Sequence, residues 1–362
     1  MCLTHLLMIQ KLCENVTPKN NTPNIQLEDI LCACCGGNDT TKLIKTYALH
    51  KGRCYGLLCR VVICKSCGLA YLNPRMSAED YREFYLNEYW QLNTNNLAPV
   101  ASRHSDLAQK ILEFFSTNIP SDLNQDLRIL DIGCGTGETL NHLVQKTHAT
   151  GYGIEPSESV ARWASEKHGH TIIQKDFFDN QLPDNQFDLI VASAVMEHFL
   201  EPFQGLREIK RLIKPGGLLF IRVPDLERCD FHHSSTAKIF KVVHTYYFTK
   251  DTLSTLLSKA GFEIVRIERM PIQPGESQGE IWVLAKDGQI KLEHMPQVQS
   301  YRQILVSVYS ARLRGLLPYW YMQSKKRAKN SVRNILRRTL PANLYNRLRK
   351  QAGEKSDAHS GI

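Results

Sequence analysis

Hydrophobic positions between residues 127 and 260 follow two alternating periods. Short apolar runs are each followed by a turn and by a stretch with apolar side chains every three or four positions. The runs predict strands, and the stretches predict the helices between them, the last helix lying at 249–260. Strands that alternate with helices predict a parallel, doubly wound α/β sheet. The predicted strands are 127–132, 150–154, 171–174, 187–192 and 218–223.

Two further apolar runs, at 263–268 and 280–284, follow the last helix. The loop between them carries Pro271, Pro274 and Gly275 and shows no helical period. Without a crossover helix, two consecutive strands pair antiparallel. The sequence therefore predicts a mostly parallel sheet whose last strand is antiparallel.

The pattern outside this region divides the rest of the chain into four more segments. Asn, Pro and Thr dominate the start, and a cysteine-rich stretch with frequent glycines follows. A capping-box pattern at Ser77 then introduces helical spacing, and the end of the chain is helical and basic. We predict a flexible lead-in at 1–28, a zinc ribbon at 29–75, a helical linker or cap at 76–120, the α/β domain at 121–290 and a basic helical extension at 291–362.

Composition limits the class of protein. The 362 residues are enough for about two folding units. With 43% hydrophobic and 22% charged residues, the chain is neither wholly disordered nor a polytopic membrane protein. The first residues lack a basic leader and a cleavage site, and cysteine pairs of the Cys-x-x-Cys type are typical of metal ligation in a reducing compartment. We therefore expect a cytoplasmic protein.

The net charge of +9 is unevenly distributed. Thirteen Lys and Arg and no Asp or Glu lie between positions 302 and 350, so the rest of the chain is mildly acidic. The basic character therefore belongs to the tail alone. It does not mark the whole protein as a nucleic-acid binder.

The segment 129–138 carries a glycine loop between a predicted strand and a predicted helix. Such a loop lets a ligand approach the backbone and the helix N-terminus. A dinucleotide site needs the G-x-G-x-x-G spacing, but here the third glycine is Gly137 and Glu138 follows it. Asp131 places a carboxylate beside the loop, which suits a cationic ligand better than a pyrophosphate.

In these residues the chain resembles the class I methyltransferases that use S-adenosylmethionine (SAM). The resemblance covers about half the chain and implies a Rossmann-like seven-stranded sheet. It also implies SAM as cofactor, with a carboxylate at the ribose, an acidic-aromatic pair at the adenine and a loop after the fourth strand beside the methyl donor. The implied cofactor-binding residues are Asp131, Gly133, Gly135, Gly137, Glu155, Asp176, Phe177 and Ala192.

Three residues in this region have simpler interpretations that the sequence leaves open. Glu155 could be a solvated strand end. Asp188 is expected to be a structural residue that opens its strand, and Cys134 is expected to be a small residue that fits the loop.

Two Cys-x-x-Cys-Gly knuckles predict a metal site. Each knuckle brings two thiolates to one tetrahedral ion, and the glycine after it permits the tight turn. We predict one structural zinc ion, with Cys34, Cys54, Cys59 and His50 as possible substitute ligands. The predicted ligands are Cys32, Cys35, Cys64 and Cys67.

The knuckles, together with an aromatic helix predicted at 81–90, resemble a subfamily of methyltransferases with an N-terminal zinc-binding module. This resemblance implies a sugar or another small hydroxylated metabolite as acceptor. Transfer to a hydroxyl needs a base. The candidates are Glu197 and His198 after the fourth strand and His244 after the fifth, whereas His232 and His233 are expected to be a solvated pair.

The sequence thus predicts a SAM-dependent methyltransferase that O-methylates a saccharide or similar small molecule. One alternative is a lipid or lipid-linked acceptor at a membrane surface. Another is a nucleic-acid-binding module with an attached methyltransferase, which is disfavoured because the ribbon lacks interleaved basic and aromatic residues. The basic tail, with Trp320 and Tyr319, predicts peripheral contact with an anionic membrane.

Overall fold

The structure, a computed structural model, describes residues 25–50, 53–84, 98–115, 127–231, 234, 236–273, 275–288 and 300–315. In chain order the strands are β1 Leu27–Glu28, β2 Thr40–His50, β3 Arg53–Cys64, β4 Ala70–Leu72, β5 Arg75–Met76, β6 Arg128–Ile132, β7 Thr150–Ile154, β8 Thr171–Ile173, β9 Phe187–Ser193, β10 Ile213–Cys229, β11 Tyr246–Tyr247, β12 Phe262–Met270 and β13 Gln278–Asp287.

The helices are α1 Ala78–Phe84, α2 Ala98–Phe115, α3 Glu138–Thr147, α4 Glu158–His168, α5 Pro202–Leu212, α6 Thr236–Ile239, α7 Lys250–Lys259 and α8 at 301–315. Single 3-10 turns occupy Phe177–Asp179 and Met196–His198. Helix α7 shows why the sequence predicts its start well, because the Thr249 and Thr252 side chains cap it reciprocally.

Seven strands form the central sheet in the order β12-β13-β10-β9-β6-β7-β8. The pairs β10–β9, β9–β6, β6–β7 and β7–β8 are parallel. Strand β13 lies antiparallel to both β10 and β12. The predicted Rossmann-like sheet with an antiparallel last strand is therefore confirmed.

Strand β10 is much longer than the predicted run at 218–223. It pairs with β9 from Ile213 onward and with β13 as far as Cys229, with a change of register between Pro224 and Cys229 and another between Ile213 and Leu218. The two register shifts lie at or directly after Pro215 and Pro224, and β9 and β13 keep the residues on either side in the sheet.

The helical segment predicted at 76–120 contains α1 and α2, while residues 85–97 lie outside the described part. Helix α2 packs on the central sheet through Phe114, whose ring centroid lies 5.8 Å from that of Phe220 and 5.6 Å from that of Trp282. Arg266 also donates to the Phe114 carbonyl. This contact makes α2 part of one face of the sheet.

The cysteine-rich segment forms a second sheet that is completed by a distant strand. Its order is β11-β4-β3-β2, and the β4–β11 pair brings Tyr71 opposite Tyr246. Buried Cys32, Cys64 and Tyr71 also belong to the same hydrophobic cluster as the central strands. The two sheets thus share a core.

Candidate functional site: a glycine loop, a buried carboxylate pair and two cysteine knuckles

The glycine loop follows β6 at the carboxyl edge of the parallel strands. Gly133, Gly135 and Gly137 all have positive φ, at 63°, 53° and 74°, which L side chains rarely adopt. A Cβ on Gly133 would also lie 2.9 Å from the Val195 side chain. The loop therefore requires glycine, and it touches the segment that follows β9.

Glu155 lies at the end of β7 with only 1% of its surface exposed. Its Oε2 accepts from the Gly135 amide at 3.1 Å, and its Oε1 accepts from the Ser157 amide at 2.9 Å. Burial raises the pKa of Glu155 to about 7, although the two amides oppose the rise. The interpretation of Glu155 as a solvated strand end is therefore wrong.

Asp131 is the second buried carboxyl at this edge. It is 3% exposed, and burial raises its pKa to about 8, with a further contribution from the charge of Glu155. Strand register explains the proximity, because Asp131 on β6 pairs with Gly153 on β7, two residues before Glu155. Two buried carboxyls side by side favour a ligand that carries positive charge.

The predicted adenine pair lies on the next turn. Asp176 caps the 3-10 turn Phe177–Asp179 by accepting from the Phe178 amide at 2.9 Å. Phe177 is buried and stacks on Phe199, with ring centroids 5.5 Å apart, whereas Phe178 is 38% exposed. Phe177 therefore packs inside the domain, next to the segment after β9.

Asp188 and Cys134 have structural environments. The Asp188 carboxylate accepts from the Arg128 amide at 2.9 Å, and both of its oxygens accept from Lys214 Nζ, at 2.9 and 2.8 Å. Asp188 therefore links β9 to β6 and β10. Cys134 is buried, and a Cβ on Gly153 would lie 2.6 Å from its Sγ. These contacts agree with the structural roles expected for both residues.

One ion pair at the loop has no signal in the sequence pattern. Buried Glu138 at the start of α3 contacts Lys167 of α4 and lies 3.4 Å from the His168 ring nitrogen. The sequence analysis used Glu138 only to argue against a pyrophosphate. Glu138 and Lys167 are 29 positions apart in the sequence, so their pairing follows only from the packing of α3 against α4.

The two cysteine knuckles lie side by side at the end of the second sheet where β2 begins and β3 ends. Cys32 Sγ lies 3.4 Å from Cys67 Sγ, and Cys35 Sγ lies 3.4 Å from Cys64 Sγ. All four sulfur atoms lie within 4.8 Å of one another. Sulfur atoms on one tetrahedral zinc ion lie about 3.8 Å apart, which follows from a Zn–S bond of about 2.3 Å.

The backbone of the knuckles explains this geometry. Gly36 and Gly68 occupy equivalent positions with φ of 72° and 73°. The amide of each donates to the backbone carbonyl of the first cysteine in its knuckle. Among the alternative ligands, Cys34 lies outside the four-sulfur group, although Lys259 of α7 donates to its carbonyl at 2.8 Å. The side chains of His50, Cys54 and Cys59 lie outside the described residues.

The predicted acceptor-side residues come together after β9. Glu197 and His244 are 2% and 5% exposed. The His198 and His244 rings meet edge to face with centroids 4.9 Å apart. One nitrogen or oxygen atom from each of Glu197, His198 and His244 lies within 4.8 Å of the others. His232 and His233 lie outside the described residues.

Thr245, the residue directly before β11, holds this cluster together. Thr245 donates its amide to the Glu197 carbonyl at 2.8 Å and its hydroxyl to the Phe199 carbonyl at 2.8 Å. On its other side, the Thr245 carbonyl accepts from the amide of Leu72, the last residue of β4. The cysteine-rich sheet therefore fixes His244 against the segment after β9.

Charged side chains surround the buried Glu197 carboxyl. Burial raises its pKa to about 7, whereas the positive charges of Arg222 and Lys241 oppose the rise. Arg222 donates to the Ser193 hydroxyl at 2.8 Å and pairs with Glu280. The sequence analysis did not single out Arg222, because only the β9–β10 register places it opposite Ser193.

Comparisons with known proteins agree with this architecture. Residues 100–267 match the sequence model of a family described as "Methyltransferase domain". A ubiquinone biosynthesis O-methyltransferase from Dinoroseobacter shibae is 29% identical over 46% of this chain and 76% of its own length. A sterol 24-C-methyltransferase from Aspergillus fumigatus is 29% identical over 26% of this chain and 27% of its own length.

Among solved structures, a SAM-dependent methyltransferase from Archaeoglobus fulgidus matches with a TM-score of 0.42 and 18% identity, covering 50% of this chain and 94% of that one. The family match, the strand order and the glycine loop define an enzyme of the methyltransferase class. The chain contains a class I, SAM-dependent methyltransferase domain. None of the described helices is long and apolar enough to cross a membrane.

Proposed function

We propose that this enzyme transfers the methyl group of SAM to a hydroxyl of a small acceptor of the saccharide class. One observation carries the proposal. The glycine loop with its buried carboxylates and the Glu197–His198–His244 cluster meet at the same sheet edge, where Gly133 touches Val195. A donor-binding loop and polar acceptor-side residues on adjoining segments suit in-line transfer between two bound molecules.

The donor side would be held by residues of the loop edge. SAM supplies a methyl group on a positively charged sulfonium. Glu155 keeps lone pairs on both oxygens for the ribose hydroxyls, since each oxygen accepts only one amide in the structure. Asp176 accepts the Phe178 amide through Oδ1, which leaves Oδ2 for the adenine amine. Buried Asp131 adds negative charge beside the cationic donor.

The acceptor side would be formed by Glu197, His198 and His244. Their oxygen and nitrogen lone pairs can hold a hydroxyl group and receive its proton when the new O–C bond forms. Because Glu197 and His244 are buried, the site excludes water that would compete with the acceptor. These three residues are our proposed catalytic group.

We further propose a structural zinc ion on Cys32, Cys35, Cys64 and Cys67. Four thiolates fill a tetrahedral coordination sphere, so the ion would organise the fold without taking part in the transfer. The β4–β11 pair connects this site to Thr245 and thus to the acceptor group. The role of the cysteine-rich sheet would be to shape the acceptor pocket.

A lipid or lipid-linked acceptor is the second candidate. Helix α8 is anchored by buried Ile304 and Val308, yet it exposes 65% of Val306 and 64% of Leu313. These apolar side chains lie among basic residues on a helix that leads into the basic tail, as a surface-bound helix would require.

Calorimetry with the substitution Glu155→Gln tests the donor site. Loss of the charged acceptor should weaken SAM binding by about 1.5–3 kcal/mol, which is roughly a 10- to 150-fold change in Kd. The matched control is Glu158→Gln, because Glu158 lies three positions further along the chain and forms an exposed ion pair with Arg162. Equal SAM affinity in all three proteins would contradict the assignment of Glu155.

Transfer itself is tested with methyl-labelled SAM and fractionated small-molecule extracts. We expect the label in a product that carries a new O-methyl group on a hydroxylated, saccharide-like compound. Label in an organic-extractable product would instead favour the lipid acceptor. Label in nucleic acid would overturn the small-molecule proposal.

A further inference from the structure

The cluster of Glu197, His198 and His244 has the composition of a metal site as well as that of a base. Two imidazoles and one carboxylate each present one ligand atom, and the three atoms lie within 4.8 Å of one another. Ligand atoms on one transition-metal ion lie about 3–3.4 Å apart, given bonds of about 2.1 Å. Small side-chain rotations would therefore bring all three atoms to a common ion.

The Glu197 carboxylate supplies an independent observation. Its Oε2 is buried and accepts no hydrogen bond from any residue that the structure describes. A buried carboxylate oxygen without a donor costs free energy. The neighbouring Arg222 acts on Glu197 through its charge alone, while its own hydrogen bond and ion pair go to Ser193 and Glu280. A cation between Glu197 and the two rings would satisfy the oxygen.

The backbone that carries these ligands is fixed by contacts outside the cluster. Glu197 and His198 lie on the 3-10 turn Met196–His198, and the adjacent Thr245 amide holds the Glu197 carbonyl. Tyr246 donates to the Leu200 carbonyl at 3.1 Å, two residues beyond His198. Ligands on such a braced backbone suit a preorganised site.

We propose that Glu197, His198 and His244 bind a divalent first-row transition-metal ion, separate from the four-cysteine site, that holds the acceptor hydroxyl. Imidazole ligands favour such ions over Mg²⁺ or Ca²⁺, which prefer oxygen ligands alone. Three protein ligands leave coordination positions open, as in catalytic rather than structural sites.

The role assigned to the ion rests on the proposed function, whereas the binding of the ion does not. The ion would occupy the lone pairs of the three side chains and lower the pKa of the coordinated hydroxyl, so that solvent, in place of these side chains, would take up the proton. The oxygen then forms a bond to the methyl carbon, the carbon–sulfur bond breaks, and its electron pair stays on sulfur. The two imidazoles would act on the hydroxyl through the ion.

Titration of the zinc-loaded full-length protein with Co²⁺, without SAM or acceptor, tests the site. We expect one equivalent of bound Co²⁺ per chain, with visible d–d absorption and no thiolate-to-cobalt charge transfer. Glu197→Gln and His244→Ala should each weaken Co²⁺ binding at least tenfold while their SAM affinity stays unchanged. His148→Asn is the matched control, because His148 is exposed and Asn tolerates its positive φ.

Three results would overturn this proposal, the first two through the binding of the ion and the third through its role. The first is a wild-type protein that binds no Co²⁺ beyond the cysteine site. The second is unchanged Co²⁺ binding in both cluster variants. The third is full methyl transfer after a chelator has removed every ion except the cysteine-bound zinc. Failure of the proposed function would look different, since the protein would then bind Co²⁺ but neither bind SAM nor transfer its methyl group.

Discussion

The buried carboxyls of Asp131 and Glu155 affect both the stability of the fold and the binding of the ligand. Both carboxyls are buried at the end of neighbouring strands, where the ionised form is disfavoured until a partner arrives. Such a pair weakens the ligand-free protein at neutral pH. The same pair favours the binding of a cationic methyl donor, because a nearby positive charge stabilises the ionised carboxyls.

The stability of the ligand-free protein should therefore fall as pH rises. In the unfolded chain Asp131 ionises near pH 4, whereas burial raises its pKa in the folded protein to about 8. Between these values the folded state binds more protons, so the free energy of unfolding decreases from about pH 4 to pH 8 and levels off above.

Urea unfolding of wild type and Asp131→Asn from pH 5 to pH 8.5 checks this expectation. The variant cannot ionise at position 131, so its free energy of unfolding should depend less on pH than that of wild type. The difference between the two curves isolates the single group. Parallel curves across the range would mean that Asp131 has an ordinary pKa.

Strand β11 is the element that joins the two sheets. It has two residues, yet it pairs with β4 of the cysteine-rich sheet, and the preceding Thr245 binds the carbonyls of Glu197 and Phe199. Tyr81 of α1 also donates to the Val243 carbonyl at 2.8 Å. The acceptor-side cluster therefore depends on elements that lie more than 160 positions apart in the sequence.

Loss of zinc should loosen the acceptor side and spare the donor side. We expect Cys35→Ser to reduce bound zinc well below one equivalent per chain, and Cys34→Ser to keep it, because Cys34 is outside the four-sulfur group. Hydrogen exchange should then rise at β11 and at Met196–His198 in the first variant only. Amides of β6 should stay protected in both.

Metal analysis measures the zinc content of the two cysteine variants, and hydrogen exchange measures the loosening of the acceptor side separately. Equal zinc loss in both cysteine variants would contradict the ligand set. Zinc loss without faster exchange at β11 would contradict the connection between the cysteine-rich sheet and the acceptor cluster. SAM calorimetry on the same samples shows whether the donor site is intact.

At the scale of the whole molecule, charge separates the body from the tail. Helix α8 joins the body through Ile304 and Val308, and its Tyr309 hydroxyl donates to the Leu43 carbonyl at 2.7 Å. Ten Lys and Arg follow between positions 316 and 350, outside the described residues. The proposed membrane contact would therefore begin from a helix anchored on the cysteine-rich sheet.

Sedimentation with lipid vesicles tests this contact. The full-length protein should sediment with anionic vesicles and stay in solution with neutral ones, because each basic residue near an anionic surface contributes about 1 kcal/mol. A chain that ends at Gly315 keeps the anchored part of α8 and should not sediment. Equal behaviour of the two proteins with anionic vesicles at low salt would refute attachment through the tail.

The local pattern of residues was sufficient to predict the alternating strands and helices, the glycine loop and the two knuckles. Each of these depends on neighbours within a few positions, such as the positive φ at Gly133 or the turn glycine Gly36 after its cysteine pair. Short-range conformational preferences and hydrophobic periodicity express this information directly in the sequence.

Only the tertiary structure decided the remaining features. The extension of β10 through Pro224, the ion pair of Glu138 with Lys167 and the pairing of β4 with β11 each join residues that are far apart in sequence. The sequence marked His198 and His244 as separate candidates, and their contact follows from the Thr245 hydrogen bonds to the segment after β9. Long-range packing sets such contacts, because they depend on the register of strands brought together only in the folded core.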